Sequence, residues 1–424
     1  MSSPPPASPA VQHCTVQPSA PLDPPLSVSS LSKDDSNPLD MTIIITTSPI
    51  RSNPSTLLIE SIIDTFHYGG PEFLKCPRLI VADGFKLETE SIDKRKKHVT
   101  EKSAMRSGIV NPSQKLNYEA FKSNLRSKCT SPPPTSPFHN TTLLELPTRH
   151  GYGFALKSAL QTITTKHVCV IQHDRTFMRP TPISSIIATM NADPSVKYVG
   201  ILMRSNLLYL EHFCSKYHSS LLNSNLSHVK RPSTLLLDKS QYGWNDVVAE
   251  DLCKRFSRCG EKYRTLRENY KNSVPYSQFL NQGGEEAQAS LIPTLFWYDN
   301  IHICLTEHYL NFVFDPKLKL VARGGFVEDK LSPALVQCVR NVGFGEAMDK
   351  FGCYLFDDHC GVAFTGHLDG GSFLTEEQRE GRKGGWIDEN KKETVKKEEV
   401  EGEGDGDGDE DGDVDTSSIF GFGL

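Results

Sequence analysis

The stretch His167-Val168-Cys169-Val170-Ile171-Gln172-His173-Asp174 decides the fold. Its apolar residues run on without alternation and are β-branched at three places. Such a run reads as a strand buried on both faces, the habit of a parallel sheet. Thr42-Ile43-Ile44-Ile45-Thr46-Thr47 repeats the pattern upstream and is broken by Ser48-Pro49. Ser55 or Thr56 offers a cap for a following helix that carries Leu57, Leu58, Ile62, Ile63 and Phe66 at helical spacing. Gly69-Gly70-Pro71 closes that helix, and Arg78-Leu79-Ile80-Val81-Ala82 is a second strand ending in Asp83-Gly84. Leu143 to Leu146 reads as a short strand, Gly151 to Thr165 as a helix, about 183–191 as another helix and Val196 to Met203 as a strand. Strands alternating with helices in this way predict a doubly wound α/β sheet.

Residues 86–112 and 126–140, the latter with Ser131-Pro132-Pro133-Pro134, read as insertions. The second half is less regular. A polar loop is expected over 214–232 and a helix over 241–270, with Trp244, Val247, Val248, Leu252 and Phe256 on one face. Phe296 to His302, Tyr309 to Phe314 and Leu318 to Ala322 are strand candidates, followed by a helix at about 332–341 and a strand at Tyr354-Leu355-Phe356.

The formal net charge of −6 is unevenly spread. Residues 1–40 are rich in proline and serine and carry −3; residues 376–424 carry −10; the 41–375 core is left at +7. Both tails are expected to be disordered, since neither buries enough apolar surface to offset chain entropy. The expected organisation is one large domain at 41–375 between tails at 1–40 and 376–424. A mildly basic core suits a phosphorylated ligand and is too weak for a nucleic-acid partner. No run of 18 apolar residues predicts a transmembrane segment, and no basic start followed by an apolar run predicts a secretory leader. Eleven scattered cysteines without a C-x-x-C predict thiols in a reducing, cytoplasmic setting. The absence of a P-loop, a G-x-S-x-G elbow and a G-x-G-x-x-G after a strand disfavours ATPases, α/β-hydrolases and dinucleotide oxidoreductases.

Ligands of open α/β sheets bind beyond the carboxyl ends of the strands. Ser48, Asp83-Gly84 and His173-Asp174 all fall there. Asp174 ends a hydrophobic strand, where a carboxylate is costly unless it is partnered. It either holds a divalent cation with a diphosphate completing the shell, or caps the next turn or pairs with Arg175 or Arg179. Asp83 either accepts from a base or ribose group or closes an Asp-Gly turn. Glu328-Asp329 either supplies a general base or caps the helix that follows. His302 and His367 are each a metal ligand, a base partner or a structural histidine.

The run Leu146-Pro147-Thr148-Arg149-His150-Gly151-Tyr152-Gly153-Phe154-Ala155-Leu156-Lys157-Ser158-Ala159-Leu160, then Val168 to Asp174, Pro180 and Val196 to Gly200, resembles family 2-like glycosyltransferases. These have the GT-A nucleotide-diphospho-sugar transferase fold. The resemblance covers about 41–375, with a nucleotide-sugar-binding half at 41–205 and an acceptor half at 206–375. It implies Ser48, Asp83, Arg149, Gly151, Gln172 and His173 at the nucleotide-sugar site. It implies Asp174 and His367 as holders of a divalent metal, Mn²⁺ or Mg²⁺. Asp329 or Glu328 is the implied catalytic base. One departure is plain: Gln172 stands where the first Asp of the family's Asp-x-Asp falls.

The function so implied is transfer of a sugar from a nucleotide-diphosphate donor, most simply a UDP-sugar, to a hydroxyl acceptor. Inversion at the anomeric carbon and metal assistance are expected. The alternative is a non-catalytic nucleotide-binding or scaffold protein that retains the fold, motivated by Gln172 and the two tails. A nucleotidyltransferase is a third reading. It wants a Gly-rich basic turn after the first strand, and Ser48-Pro49-Ile50-Arg51 has no glycine.

Overall fold

The structure, a computed structural model, describes residues 37–88, 101–207, 209, 227–235, 289–359 and 363–368. The expected 241–270 helix, most of the 214–232 loop and nearly all of both tails lie outside the described residues.

The first strand is β1 (Met41–Thr47), buried at every position. α1 (Leu57–Asp64) follows, then β2 (Arg78–Ala82), again wholly buried. After α2 (Pro112–Cys129) and β3 (Thr141–Glu145) come α3 (Tyr152–Leu160) and β4 (His167–Gln172). The chain continues through β5 (Arg175–Phe177), α4 (Ile183–Ala192) and β6 (Tyr198–Ile201). β7 (Ser290–Pro293), β8 (His302–Leu305), α5 (Glu328–Val342), α6 (Phe344–Phe351), β9 (Cys353–Asp357) and β10 (Thr365–His367) complete the described elements that position the site.

Eight strands form one sheet in the order β3-β2-β1-β4-β8-β6-β9-β7. β1 pairs in parallel with β2 and with β4, and β2 with β3. β8 runs antiparallel between β4 and β6, β9 is parallel to β6, and β7 closes the far edge antiparallel to β9. This is the doubly wound mixed sheet implied by the GT-A resemblance. The unbroken apolar runs of β1, β2 and β4 make the sheet, because residues pointing to either face must meet a covered core. Ile43, Ile44, Ile45, Val168, Cys169, Val170 and Ile171 are all fully buried.

Strand order reverses between β1 and β4, since the chain winds outward through β2 and β3 and then returns to the other side of β1. In open α/β sheets ligands bind at such a switch point, outside the carboxyl ends of the strands. The antiparallel β8 brings its amino end, and so Asp299 and Asn300, to the same edge. β5 leaves that edge as a short ribbon with β10, in the register Arg175↔His367.

Three strand expectations are corrected. Residues 296–301 form no ladder, because side chains there take the backbone donors: Trp297 N–H donates to Ser332 Oγ (2.9 Å) and Tyr298 N–H to the Tyr198 hydroxyl (3.1 Å). The strand begins only at His302. Tyr309–Val313 is a π-helical turn that buries Tyr309 and Val313, four residues apart on one face. Residues 318–322 form no strand, and an Asp315-centred turn leads into them, in which Lys317 N–H donates to Asp315 Oδ1 (2.8 Å).

Two elements went unforeseen. α2 occupies ground between the two expected insertions. It carries a reciprocal Asn111–Gln114 capping box with Pro112 in its first turn, a recognisable start signal. β7 holds Pro293 and survives because it is an edge strand. α5 starts at Glu328, not near 332. Pro333 mimics a first-turn proline, while the true first turn is held by Asp299 and Asp329 side chains.

A buried ion pair ties the ribbon to the main sheet. Arg179, fully buried, donates from Nη1 and Nη2 to Asp358 Oδ2 and Oδ1 at 2.6 and 2.8 Å. Its guanidinium carbon lies 3.4 Å from the centre of the Phe364 ring. Removing one partner strands the other charge in the core. Asp358→Ala is expected to cost about 3–5 kcal/mol of stability in urea denaturation, and Arg179→Ala a similar amount.

Candidate active site

The site grows from three strand ends. At the end of β2, Asp83 is buried and its carboxylate accepts three backbone N–H groups: Gly84 and His150 on Oδ1 (2.9 and 2.8 Å) and Gly151 on Oδ2 (2.8 Å). Of its two sequence readings, the turn is what this geometry displays, extended to a second turn 67 residues away. Gly151 sits at φ +78°, ψ 162°, and a Cβ there would lie 2.4 Å from Gly324 Cα. Only glycine fits, and the close approach presses the 148–151 turn onto the loop that carries Glu328. Arg149 threads between Gly324 and one more glycine: a Cβ on Gly108 would meet its Nε at 2.2 Å, and one on Gly324 its Nη1 at 3.1 Å.

At the crevice between β1 and β4, His173 N–H donates to Thr46 O (3.0 Å) and its Nδ1 lies 3.1 Å from Thr47 Oγ1. Burial lowers the His173 pKa, against the pull of Asp174 and with that of His367. Ser48 follows directly, half-buried, at the mouth of β1. Asp174 is 8% exposed, and its Oδ2 lies 3.1 Å from Nε2 of His367, whose side chain is 36% exposed. The β5–β10 register sets this contact, and Leu368 N–H donates to Asp174 O (2.8 Å). Burial alone would raise the Asp174 pKa. The His367 hydrogen bond and the positive fields of His173, His367 and Arg175 prevail and hold it well below the usual carboxylate range.

Gln172 turns sideways. Its amide Nε2 donates to the carbonyl of Asp299 (2.5 Å). Asp299 in turn grips the start of α5. Glu328 N–H donates to Asp299 Oδ2 (3.0 Å), Asp299 N–H to Glu328 Oε2 (3.1 Å), and Trp297 Nε1–H to Asp299 Oδ1 (3.2 Å). Burial, then the nearby Glu328 charge, push the Asp299 pKa well up, and burial raises that of Glu328. Asp329 is exposed and accepts Phe326 N–H at 2.8 Å, the capping role among its two readings. Exposed Phe326 lies against Tyr152, ring centres 4.9 Å apart.

The folded chain thus gathers Asp174 with His173 and His367, and links Gln172 through Asp299 to Glu328. It leaves His302 out. That histidine is buried among Tyr198, Trp297 and Tyr309, its Nε2 is 2.5 Å from the Tyr309 hydroxyl, and burial drops its pKa to about 4. Sequence reasoning missed Asp299, which it placed inside a strand. The signal was there: a carboxylate set in the aromatic run Phe296-Trp297-Tyr298 is costly unless partnered. Among the described residues no group of three or more His, Cys, Asp or Glu is assembled to hold a metal. Asp174 and His367 nevertheless offer one carboxylate oxygen and one imidazole nitrogen side by side. Both atom types are ones that divalent cations accept as ligands.

No protein-family model matches the chain, and no curated protein sequence matches it. Solved structures do. The S. aureus TarS 1–349 chain in complex with UDP-GlcNAc is 12% identical over 39% of this chain and 34% of its own, at TM-score 0.24. A structure of GalNAc-T7 with UDP, GalNAc and Mn²⁺ is 8% identical over 79% of this chain and 43% of its own, at TM-score 0.37. CMP:2-keto-3-deoxy-manno-octonic acid synthetase complexed with CTP is 10% identical over 71% and 85%, at TM-score 0.28. This chain spans about a third of the TarS chain that it matches. Likenesses this distant bear on none of the chemistry; the fold assignment stands on the sheet's own strand order.

Two outcomes are expected from the geometry. Gly151→Ala forces a side chain into a glycine-only conformation and should cost about 1–3 kcal/mol in urea denaturation. The Asp174 pKa is lowered on folding, so its stabilising contribution is present above the unfolded value near pH 4 and is lost as pH falls through the lower folded value. His367→Ala should therefore reduce stability at pH 6 and shrink the wild-type loss between pH 5 and pH 2, read by denaturation at each pH.

Proposed function

We propose that this chain transfers a sugar from a nucleoside-diphosphate-sugar donor to a hydroxyl acceptor. The observation that carries the reading is the pairing of Asp174 with His367 at the β1/β4 crevice, joined through Gln172 and Asp299 to a Glu328 whose pKa is raised. An aspartate–histidine pair and a second pair of acidic side chains thus stand on one sheet edge, and open α/β sheets take their ligands at that edge.

In this reading the 41–205 half holds the donor. Ser48, His173 and the Arg149–Gly151 turn line the nucleotide side, and Asp83 keeps that turn in place. Asp174 and His367 would hold a Mn²⁺ or Mg²⁺ ion, which when bound neutralises charge on the departing diphosphate. Arg149 and Arg175 add positive charge near it. The 206–375 half supplies the acceptor side, with Phe326 and Tyr152 as an apolar platform. Glu328, or Asp329 beside it, takes the acceptor hydroxyl's proton. The acceptor oxygen bonds to the anomeric carbon while the bond from that carbon to the diphosphate oxygen breaks, its electron pair leaving with the nucleoside diphosphate. Attack and departure on opposite faces invert the centre. A UDP-sugar is the simplest donor for the family resemblance. A cytoplasmic place accords with the six free thiols among the described residues, four of them buried. No described helix is long and apolar enough to cross a membrane.

One observation favours a second reading, a non-catalytic nucleotide-binding protein. Gln172, at the place of a metal-binding carboxylate, spends its amide on the Asp299 carbonyl. Turnover separates the two. The test is release of nucleoside diphosphate from a panel of sugar nucleotides, with Mn²⁺, Mg²⁺ or EDTA. Slow metal-dependent hydrolysis of one donor is expected, reduced about 100-fold or more in Asp174→Ala. Nucleotide binding by calorimetry with no hydrolysis under any condition selects the second reading.

A further inference from the structure

Resting on the transferase reading, we infer that His150 is a specificity residue for the donor's nucleoside: its bare Nε2 accepts a hydrogen bond from the base's ring N–H or from a ribose hydroxyl. His150 stands between Arg149 and Gly151 in the turn that follows β3, beside the end of β2. Its ring Nδ1 lies 2.6 Å from the carbonyl oxygen of Thr148 and 3.7 Å from Oδ1 of Asp83. A carbonyl oxygen has no proton to give, so Nδ1 is the nitrogen that carries one and donates it. In the neutral imidazole the other nitrogen then holds a lone pair. Among the described residues nothing hydrogen-bonds to that Nε2, and the side chain is 32% exposed. The carbonyl of Thr148 thus fixes both the ring and its tautomer, and one acceptor is left over for a ligand.

Asp83 explains why the acceptor is this imidazole. The sequence offers that carboxylate to a base or ribose group, but it is 6% exposed and accepts N–H from Gly84, His150 and Gly151. Backbone therefore occupies three of its roughly four lone-pair sites. His150 is the next acceptor at the same strand end, and the same bonds hold it, since its own N–H is one of the three, at 2.8 Å. Its neighbour Arg149, threaded between Gly108 and Gly324, carries the positive charge that a phosphate requires. The two adjacent side chains divide the donor between them, a cation for the phosphates and a neutral acceptor for the nucleoside. Such an acceptor also selects. An N–H or O–H satisfies it, while a methyl group or a bare lone pair leaves it unpaired and costs affinity.

Two substitutions separate this role from a structural one. In His150→Asn the amide Nδ2–H replaces Nδ1–H against the Thr148 carbonyl, so the turn is kept and Nε2 is lost. In His150→Gln the longer side chain brings a carbonyl oxygen to the place of Nε2. Calorimetry on the full chain in mildly alkaline buffer uses UDP as the probe, or GDP where the wild type prefers it. Binding is expected to weaken about 3- to 12-fold in His150→Asn and to recover in His150→Gln. Analogues with an N-methylated base, a 2′-deoxyribose or a 3′-deoxyribose identify the source of the hydrogen. The one that lacks it binds the wild type more weakly by a similar factor, and His150→Asn removes the difference. Equal binding of the probe to wild type and His150→Asn overturns the inference, as do analogue losses that are the same in both proteins. NMR of the full chain with isotopically labelled histidine tests the tautomer without any nucleotide, the His150 signals being assigned by their loss in His150→Asn. Nδ1–H with a bare Nε2 is expected, and the Nε2–H form overturns the inference. A wild type that shows the expected tautomer but binds no nucleoside diphosphate fails the transferase reading, and the ligand named here falls with it.

Discussion

Every acidic group that the fold buries at the carboxyl edge of the sheet has to be answered by a donor or a cation. An unpartnered carboxylate in that position costs several kcal/mol, and the edge is where the strands deliver them. Asp83 is answered by three backbone N–H groups, Asp174 by His367, Asp299 by the Glu328 amide and the Trp297 indole, and Asp358 by Arg179. The partners come from elsewhere in the chain, so these local requirements become the long-range ties of the molecule. The 148–151 turn, the β5–β10 ribbon, the start of α5 and the end of β9 are each fixed by one of them.

The ties differ in kind, and the difference separates scaffold from chemistry. The Arg179–Asp358 pair is bidentate, buried and stacked on Phe364, away from solvent. Asp83 has its carboxylate taken up by amides and acts by shaping the turn that holds Arg149. Asp174 is different, because its partner is a histidine more than a third exposed, open to exchange a hydrogen bond for a shared ligand. The Asp299–Glu328 pair is different again: each carboxylate accepts the other residue's backbone N–H, which sets two acidic side chains side by side. Functional capacity sits where the buried charge is satisfied by a group that can also release it.

The path of coupling across the edge is short. Gln172 reaches from the end of β4 to the Asp299 carbonyl, and Asp299 reaches Glu328. The Gly151–Gly324 contact closes the same circle from the β2 side. The end of β4, the 148–151 turn and the start of α5 are therefore tied to one another. Gln172 brings no charge to that frame and supplies it with a donor.

Apolar runs without alternation determined β1, β2 and β4 and with them the doubly wound sheet, because a strand covered on both faces has only one way to look. Strand ends then placed Ser48, Asp83 and Asp174 on the ligand edge before any contact was known. Where side chains replace ladder hydrogen bonds, as around Trp297 and Tyr298, composition alone suggested a strand that does not form. The capping box at Asn111 is legible in the sequence; the edge strand at Ser290 carries little signal of its own. Only the tertiary structure decided which groups lie against each acidic residue. It set His367 against Asp174 across 193 residues, gave Asp329 a capping role, and brought Asp299 to Glu328. The reason is physical: a strand end announces a carboxylate from local pattern, but what answers its charge is a neighbour that sequence distance does not reveal.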